Sequence, residues 1–219
     1  MIGICLSANP STHGLTFNAE YRQSRMRPIW KFLKVDDHQA ISDQVYQYVL
    51  NHTSILDTKL TTFYNEIDGL QILNYAPSLR KFLSDNLLVP KFIAIIIVLP
   101  SDNPDNLHVD QLTPYVRVLW PVKNCSGSVT KFYDIPRDLL KEETNRWAST
   151  SGYYRPAVKK DWPLLDHFEL TQPLVFDVSV AHEVCAAPDA TEPRISFTLG
   201  FDQDLPISKS VKAWFGFQR

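Results

Sequence analysis

Residues 175–201 read VFDVSVAHEVCAAPDATEPRISFTLGF. An apolar, strand-like run ends in His182, a short polar loop follows, and a second run opens with Arg194. In extended chain, successive side chains point to opposite faces. Ile195, Phe197, Leu199 and Phe201 therefore share a core-packing face, and Arg194 and Ser196 share the other. The stretch predicts two strands carrying a histidine, an arginine and a serine on faces that do not belong to the apolar core.

Working outward, the same period recurs. KFIAIIIVLP (91–100) is a continuous isoleucine-rich run closed by proline, the pattern of a strand covered on both faces. PYVRVLWPV (114–122), SVTKFYD (128–134), QPLVFDVSVAH (172–182) and RISFTLGF (194–201) are further strands separated by turn formers, with KNCSGS as a hairpin-like turn. Helical spacing comes earlier. Ile41, Val45, Tyr48, Val49 and His52 form one stripe, and Leu79, Phe82, Leu83 and Leu87 form another after Pro77, a residue tolerated in the first turn of a helix. PRDLLKEETNRW (136–147) predicts a further helix. Residues 1 to about 25 carry no sustained periodicity. Helices first and strands afterwards, without βαβ alternation, predict an α+β, mainly β chain whose antiparallel sheets form a sandwich or a barrel.

Composition removes several classes. The chain of 219 residues fits one domain, with 44% apolar and 21% charged residues. No run approaches the roughly 18 apolar residues that a membrane-spanning helix needs. A formal charge of −2 creates no general attraction for phosphates, and the basic cluster Arg22, Arg25 and Arg27 is short, so no nucleic-acid partner is expected. Three cysteines without CxxC spacing indicate neither a disulfide framework nor a structural zinc site. With no basic, apolar leader at the N-terminus, the expected location is cytoplasmic. HEVCA lacks the second histidine of a zinc peptidase helix, and no phosphate-binding glycine loop or GxSxG elbow occurs. Nothing brings Cys125 or Cys185 to His167 as a nucleophile pair.

Three ionisable residues remain. His108 and Asp110 in DNLHVDQL are two apart, so both project to one face of an extended segment. With His182 they make two imidazoles and one carboxylate, a set that leaves neighbouring coordination positions open on a divalent iron. Arg194 supplies a fork for a carboxylate and Ser196 a further donor. Separately, each has an ordinary explanation: a strand-end histidine, a turn rich in Asp and Asn, and a surface salt bridge from Arg194 to Glu192 or Asp189.

Taken in order, His108-x-Asp110, His182 and Arg194-x-Ser196 resemble the HxD…H…RxS signature of the Fe(II)/2-oxoglutarate-dependent oxygenases. The resemblance spans roughly residues 90–202, and the 175–201 stretch is also similar to the aspartyl/asparaginyl hydroxylase branch and to small bacterial and phage hydroxylases. It implies a double-stranded β-helix, a cupin-like jelly roll, over residues 91–202. Residues 1–90 would be N-terminal support and 203–219 a C-terminal extension, all within a single oxygenase domain, 1–219. It implies Fe(II) held by His108, Asp110 and His182, 2-oxoglutarate chelating that iron with its far carboxylate on Arg194 and Ser196, and O2 as oxidant. The implied reaction is hydroxylation of a C–H bond in an amino acid, peptide or small metabolite, with release of succinate and CO2. Asp110 favours hydroxylation, since related halogenases carry a small residue there. Arg117 and Tyr133, with Tyr115 and Thr130, are further candidates for touching co-substrate or substrate. The aromatic segment 145–165, with Trp147, Tyr153, Tyr154, Arg155 and Trp162, is the place for a substrate-covering loop. Two alternatives stand beside this reading: a cupin-type metal enzyme that does not use 2-oxoglutarate, and a non-catalytic jelly-roll binding module.

Overall fold

The computed structural model describes residues 28–52, 62–100, 106–112, 115–143, 153–158 and 160–201. The lead-in, the arginine cluster, Cys5, Trp147 and the C-terminal extension lie outside these residues. Among the described residues, eleven strands and three helices follow in the order β1 (Trp30–Phe32), α1 (His38–Asn51), β2 (Thr62–Ile67), α2 (Gly69–Tyr75), α3 (Pro77–Asp85), β3 (Phe92–Val98), β4 (Val116–Lys123), β5 (Val129–Tyr133), β6 (Leu140–Glu143), β7 (Tyr153–Pro156), β8 (Leu164–Glu169), β9 (Leu174–Asp177), β10 (Ala181–Cys185) and β11 (Arg194–Gly200).

Two antiparallel sheets face each other. The larger runs β1-β9-β4-β11-β3-β2 and the smaller β10-β5-β8. A bridge between His108 and His182 adds the segment around His108 to the free edge of β10. From β3 onward the chain passes from large sheet to small, back to large at β4, to small at β5 and β8, then to large at β9, small at β10 and large at β11. This alternation is a double-stranded β-helix, the jelly roll that the sequence resemblance implies.

The hydrophobic pattern explains the layers. Ile93, Ile95, Ile97, Ile195, Phe197, Leu199, Val118 and Trp120 leave the large sheet on its outer face. There they pack against Ile41, Val45 and Val49 of α1, Ile72 of α2, and Leu79 and Leu83 of α3. The inner face carries Leu119, Leu174 and Phe176, which meet Phe132 and Phe168 of the small sheet. β3 is thus buried on both faces, as its unbroken apolar run predicts. Ser42 ties α1 to the sheet by donating to the carbonyl of Pro121 at 2.6 Å. Pro121 has no N–H for the sheet ladder, and the β4–β11 register shifts between Ile195 and Ser196, where a bulge accommodates it.

Three sequence expectations are corrected. The run 172–182 is not one strand. Asp177 Oδ1 accepts hydrogen bonds from the Ser179 N–H (2.9 Å) and hydroxyl (2.6 Å), and this Asx turn sends the chain from β9 in one sheet to β10 in the other. His182 therefore sits near the start of a strand, not at the end of one. KNCSGS, with positive φ at Asn124 (53°) and Gly127 (74°), likewise joins strands of different sheets instead of closing a hairpin. The helix expected over 136–147 is a short 3-10 turn, Arg137–Leu139, running into β6. Two adjacent leucines provide no apolar stripe at helical spacing, and pairing with β7 satisfies this backbone instead.

Candidate metal and anion site

His108 and His182 lie directly opposite on adjacent antiparallel segments. The His108 N–H donates to the His182 carbonyl at 2.9 Å, and the reverse bond is 2.8 Å. Side chains of such a pair share a face, and the ring centroids are 4.4 Å apart. Asp110, two residues on, is fixed by its N–H to the Val178 carbonyl at 3.1 Å. One ligand atom each from His108, Asp110 and His182 lie within 4.8 Å of one another, a group able to hold a metal ion.

The donor atoms are oriented by backbone. Nδ1 of His182 lies 2.8 Å from the Val180 carbonyl, and Nδ1 of His108 bonds the Asn106 carbonyl. A carbonyl only accepts, so each Nδ1 carries the proton and each Nε2 presents its lone pair. Burial pulls the His182 pKa down to about 4, with the neighbouring His108 adding to the effect, so the ring is neutral as a metal ligand requires. Burial pushes the Asp110 carboxyl upward, but Arg117 with His108 and His182 outweighs it and holds Asp110 well below the usual carboxylate range. With the His182 ring neutral and Asp110 an anion, two imidazoles and one carboxylate make a donor set that suits a divalent first-row metal. The walls are aromatic: Phe176 meets His182 edge-on at 5.4 Å, and Tyr153 stacks on His108 at 4.9 Å.

Arg194 and Ser196 project from β11 into the same interior, opposite in face to Ile195 and Phe197. Arg194 is 2% exposed and Ser196 is fully buried. Arg194 Nε and Nη1 and Ser196 Oγ have no hydrogen-bond partner among the described residues. A surface salt bridge to Glu192 does not form, because Glu192 accepts from Asn124 at 3.0 Å and Arg194 is not at the surface. Thr130 of β5 is likewise buried with an unpartnered hydroxyl, on the strand face it shares with Phe132. Buried polar groups are nearly always satisfied. A buried guanidinium with two free donors, sharing a strand face with an unpaired hydroxyl, fits a carboxylate-bearing molecule.

The remaining candidates separate. Arg117 is inward but committed to Asp110, with Nη1 2.8 Å from Oδ2. Tyr115 donates to the Phe201 carbonyl and so ties the end of β11. Tyr133 opposes Ala181, one residue out of phase with His182, and therefore points to the outer face; its hydroxyl donates to Glu183. This corrects the expectation that Tyr133 touches co-substrate. Within the aromatic segment, Tyr154 joins β7 to Val109 by two backbone bonds of 2.8 and 2.9 Å, so β7 is an added strand beside the candidate ligands. Residues 144–152 lie outside the described residues. Asn106 is the residue sequence reading missed. Its side chain donates to the Val184 carbonyl at 2.9 Å and accepts the Val184 N–H at 3.0 Å, clamping β10 against the segment that bears His108. Its two-residue offset from His108 was the available signal.

Fold and site together define a jelly roll with a two-histidine, one-carboxylate cluster at one end of an interior that also buries an unpaired arginine. No family model and no curated protein matches the chain. Among solved structures it is similar to the epimerase SnoN in complex with Fe3+, alpha-ketoglutarate and nogalamycin RO, at 12% identity over 83% of this chain and 80% of that one, TM-score 0.45. It is also similar to a prolyl hydroxylase from Trichoplax adhaerens in complex with a hypoxia inducible factor peptide fragment, at 14% identity over 88% and 93%, TM-score 0.46. A Pseudomonas putida prolyl-4-hydroxylase matches at 14% identity over 79% and 91%, TM-score 0.38.

Proposed function

We propose that the protein is an Fe(II)- and 2-oxoglutarate-dependent oxygenase that hydroxylates a C–H bond of an amino acid, peptide or small metabolite. The observation that carries this reading is the pairing of two features inside one barrel: a one-sided His108, Asp110 and His182 cluster, and the buried, unpartnered donors of Arg194 and Ser196. A cupin-type enzyme without 2-oxoglutarate needs the first feature but does not by itself require the second. The metal, when bound, supplies the redox chemistry with O2, and 2-oxoglutarate supplies two electrons on decarboxylation to succinate. This chain's residues orient and shield. His108 and His182 present Nε2, Asp110 supplies the balancing charge, and Arg194 with Ser196 and Thr130 would anchor the far carboxylate. The aromatic walls keep water from the reacting centre. Among the described residues no helix is long and apolar enough to cross a membrane. Cys125 and Cys185 are free thiols, which supports a reducing, cytoplasmic setting.

Anaerobic titration of the protein with Fe(II) and 2-oxoglutarate tests the assignment. A visible metal-to-ligand charge-transfer band is expected for the wild type and should vanish in His182→Ala. A wild type that binds Fe(II) without that band points to the cupin-type alternative, and one that binds neither points to a binding module.

A further inference from the structure

We propose that Arg117 is a positioning residue for Asp110, fixing its carboxylate as a ligand with a single oxygen turned toward the two imidazoles. The inference rests on the metal-site reading above and goes beyond it. Asp110 uses its oxygens differently: Oδ2 lies 2.8 Å from Arg117 Nη1, while Oδ1 lies 3.3 Å from His108 Nε2. One oxygen is thus occupied by the guanidinium, and the other is the one in reach of the His108 ring. A free carboxylate can chelate through both oxygens and fill one more coordination position. Held this way it offers one, leaving a further position for a co-substrate.

Arg117 is itself held. It projects inward from β4, between the outward-facing Val116 and Val118, with its guanidinium 5.1 Å from the centroid of the Phe92 ring and 6.0 Å from that of Tyr115. Phe92 opposes Gly200 across β3 and β11, and its ring occupies the space where a side chain at Gly200 would begin: a Cβ there would lie 2.1 Å from the ring. Gly200, Phe92, Arg117 and Asp110 form a continuous line of contacts from the β3–β11 pair to the candidate ligand. Rigid support of this kind sets ligand geometry as much as the ligand itself.

The test uses Co(II) as probe in the whole protein, read by its d–d absorption, with far-UV circular dichroism as the check on folding. Arg117→Met, which keeps most of the aliphatic stem, should weaken Co(II) binding by on the order of ten- to hundredfold and change the shape of the d–d spectrum. Arg117→Lys, which restores a cation, should recover part of both. Should Arg117→Met lose its fold, Arg117→Lys carries the same test through its own, smaller shift in affinity and spectrum. Wild-type affinity and an unchanged spectrum in the folded variant would overturn the role of Arg117 and leave the metal site standing. A wild type that fails to bind Co(II) at all would instead overturn the metal site, and this inference with it.

Discussion

Among the described residues the barrel interior holds two arginines, Arg194 buried and Arg117 largely so, and they are in opposite states. Arg117 is neutralised within the protein by Asp110, whereas Arg194 has no acidic partner among the described residues and leaves Nε and Nη1 unused. The first has its counter-ion within the protein, though its Nε is also without a partner among the described residues. The second keeps two donors free, and under the proposed function an anion would complete it. A buried, unpaired charge opposes folding more than a paired one, and removing one partner of a pair leaves the other uncompensated. The difference teaches that one region is arranged for geometry and the other for affinity.

The two states predict stability changes of opposite sign. Asp110→Ala strands Arg117 in a poorly solvated place and should destabilise the metal-free protein by roughly 3 kcal/mol in denaturant unfolding, while abolishing Co(II) binding. Arg194→Met should do the reverse. Removing an unpaired buried charge should raise stability by about 1–2 kcal/mol, while affinity for 2-oxoglutarate in the Fe(II)-loaded protein falls on the order of a hundredfold, from loss of charge-assisted bonds. If Arg194→Met is instead destabilised as much as Asp110→Ala, Arg194 has an internal partner and the contrast breaks.

Gly200→Ala sharpens the comparison by displacing Phe92. A cost of about 1 kcal/mol is expected by thermal unfolding, with Co(II) binding weakened through Arg117 and 2-oxoglutarate binding touched less. The smallest effect belongs to Tyr133→Phe. The loss of its bond to Glu183 on the outer face should cost roughly 1 kcal/mol of stability, with Fe(II) and 2-oxoglutarate affinities unchanged to within about twofold. A large loss of 2-oxoglutarate binding there would return Tyr133 to the interior and contradict the strand phase.

Much of this was legible in the chain. Ile93 to Ile97 announces a strand buried on both sides, and Ile41, Val45 and Val49 announce the helix that covers it, because each pattern repeats at the period of its own element. The alternation of Arg194 and Ser196 with Ile195 and Phe197 puts the two pairs on opposite faces by the pleat alone. Less legible were the places where the chain changes sheets. Asp177 and Ser179 look like part of one apolar run until the Asx turn is seen, and the leucine pair at 139–140 reads as helix until β7 offers a partner. The pleat put Arg117 on one face with Tyr115, but that Tyr133 lies on the outer face, and which partners the two residues take, came only with the strand pairing. An ion pair with Asp110 and a bond to Glu183 depend on which strands are neighbours.

The sequence by itself determined the strand periodicity, the helical cover and the chemical types in the HxD, H and RxS positions, because burial and pleating act on each segment locally. Only the tertiary structure decided that His108 and His182 face each other across one bridge, that Arg117 holds Asp110, and that Arg194 stays unpaired. Those outcomes depend on strand order and sheet crossing, and the energy of a buried charge is set by neighbours that lie far away in the chain.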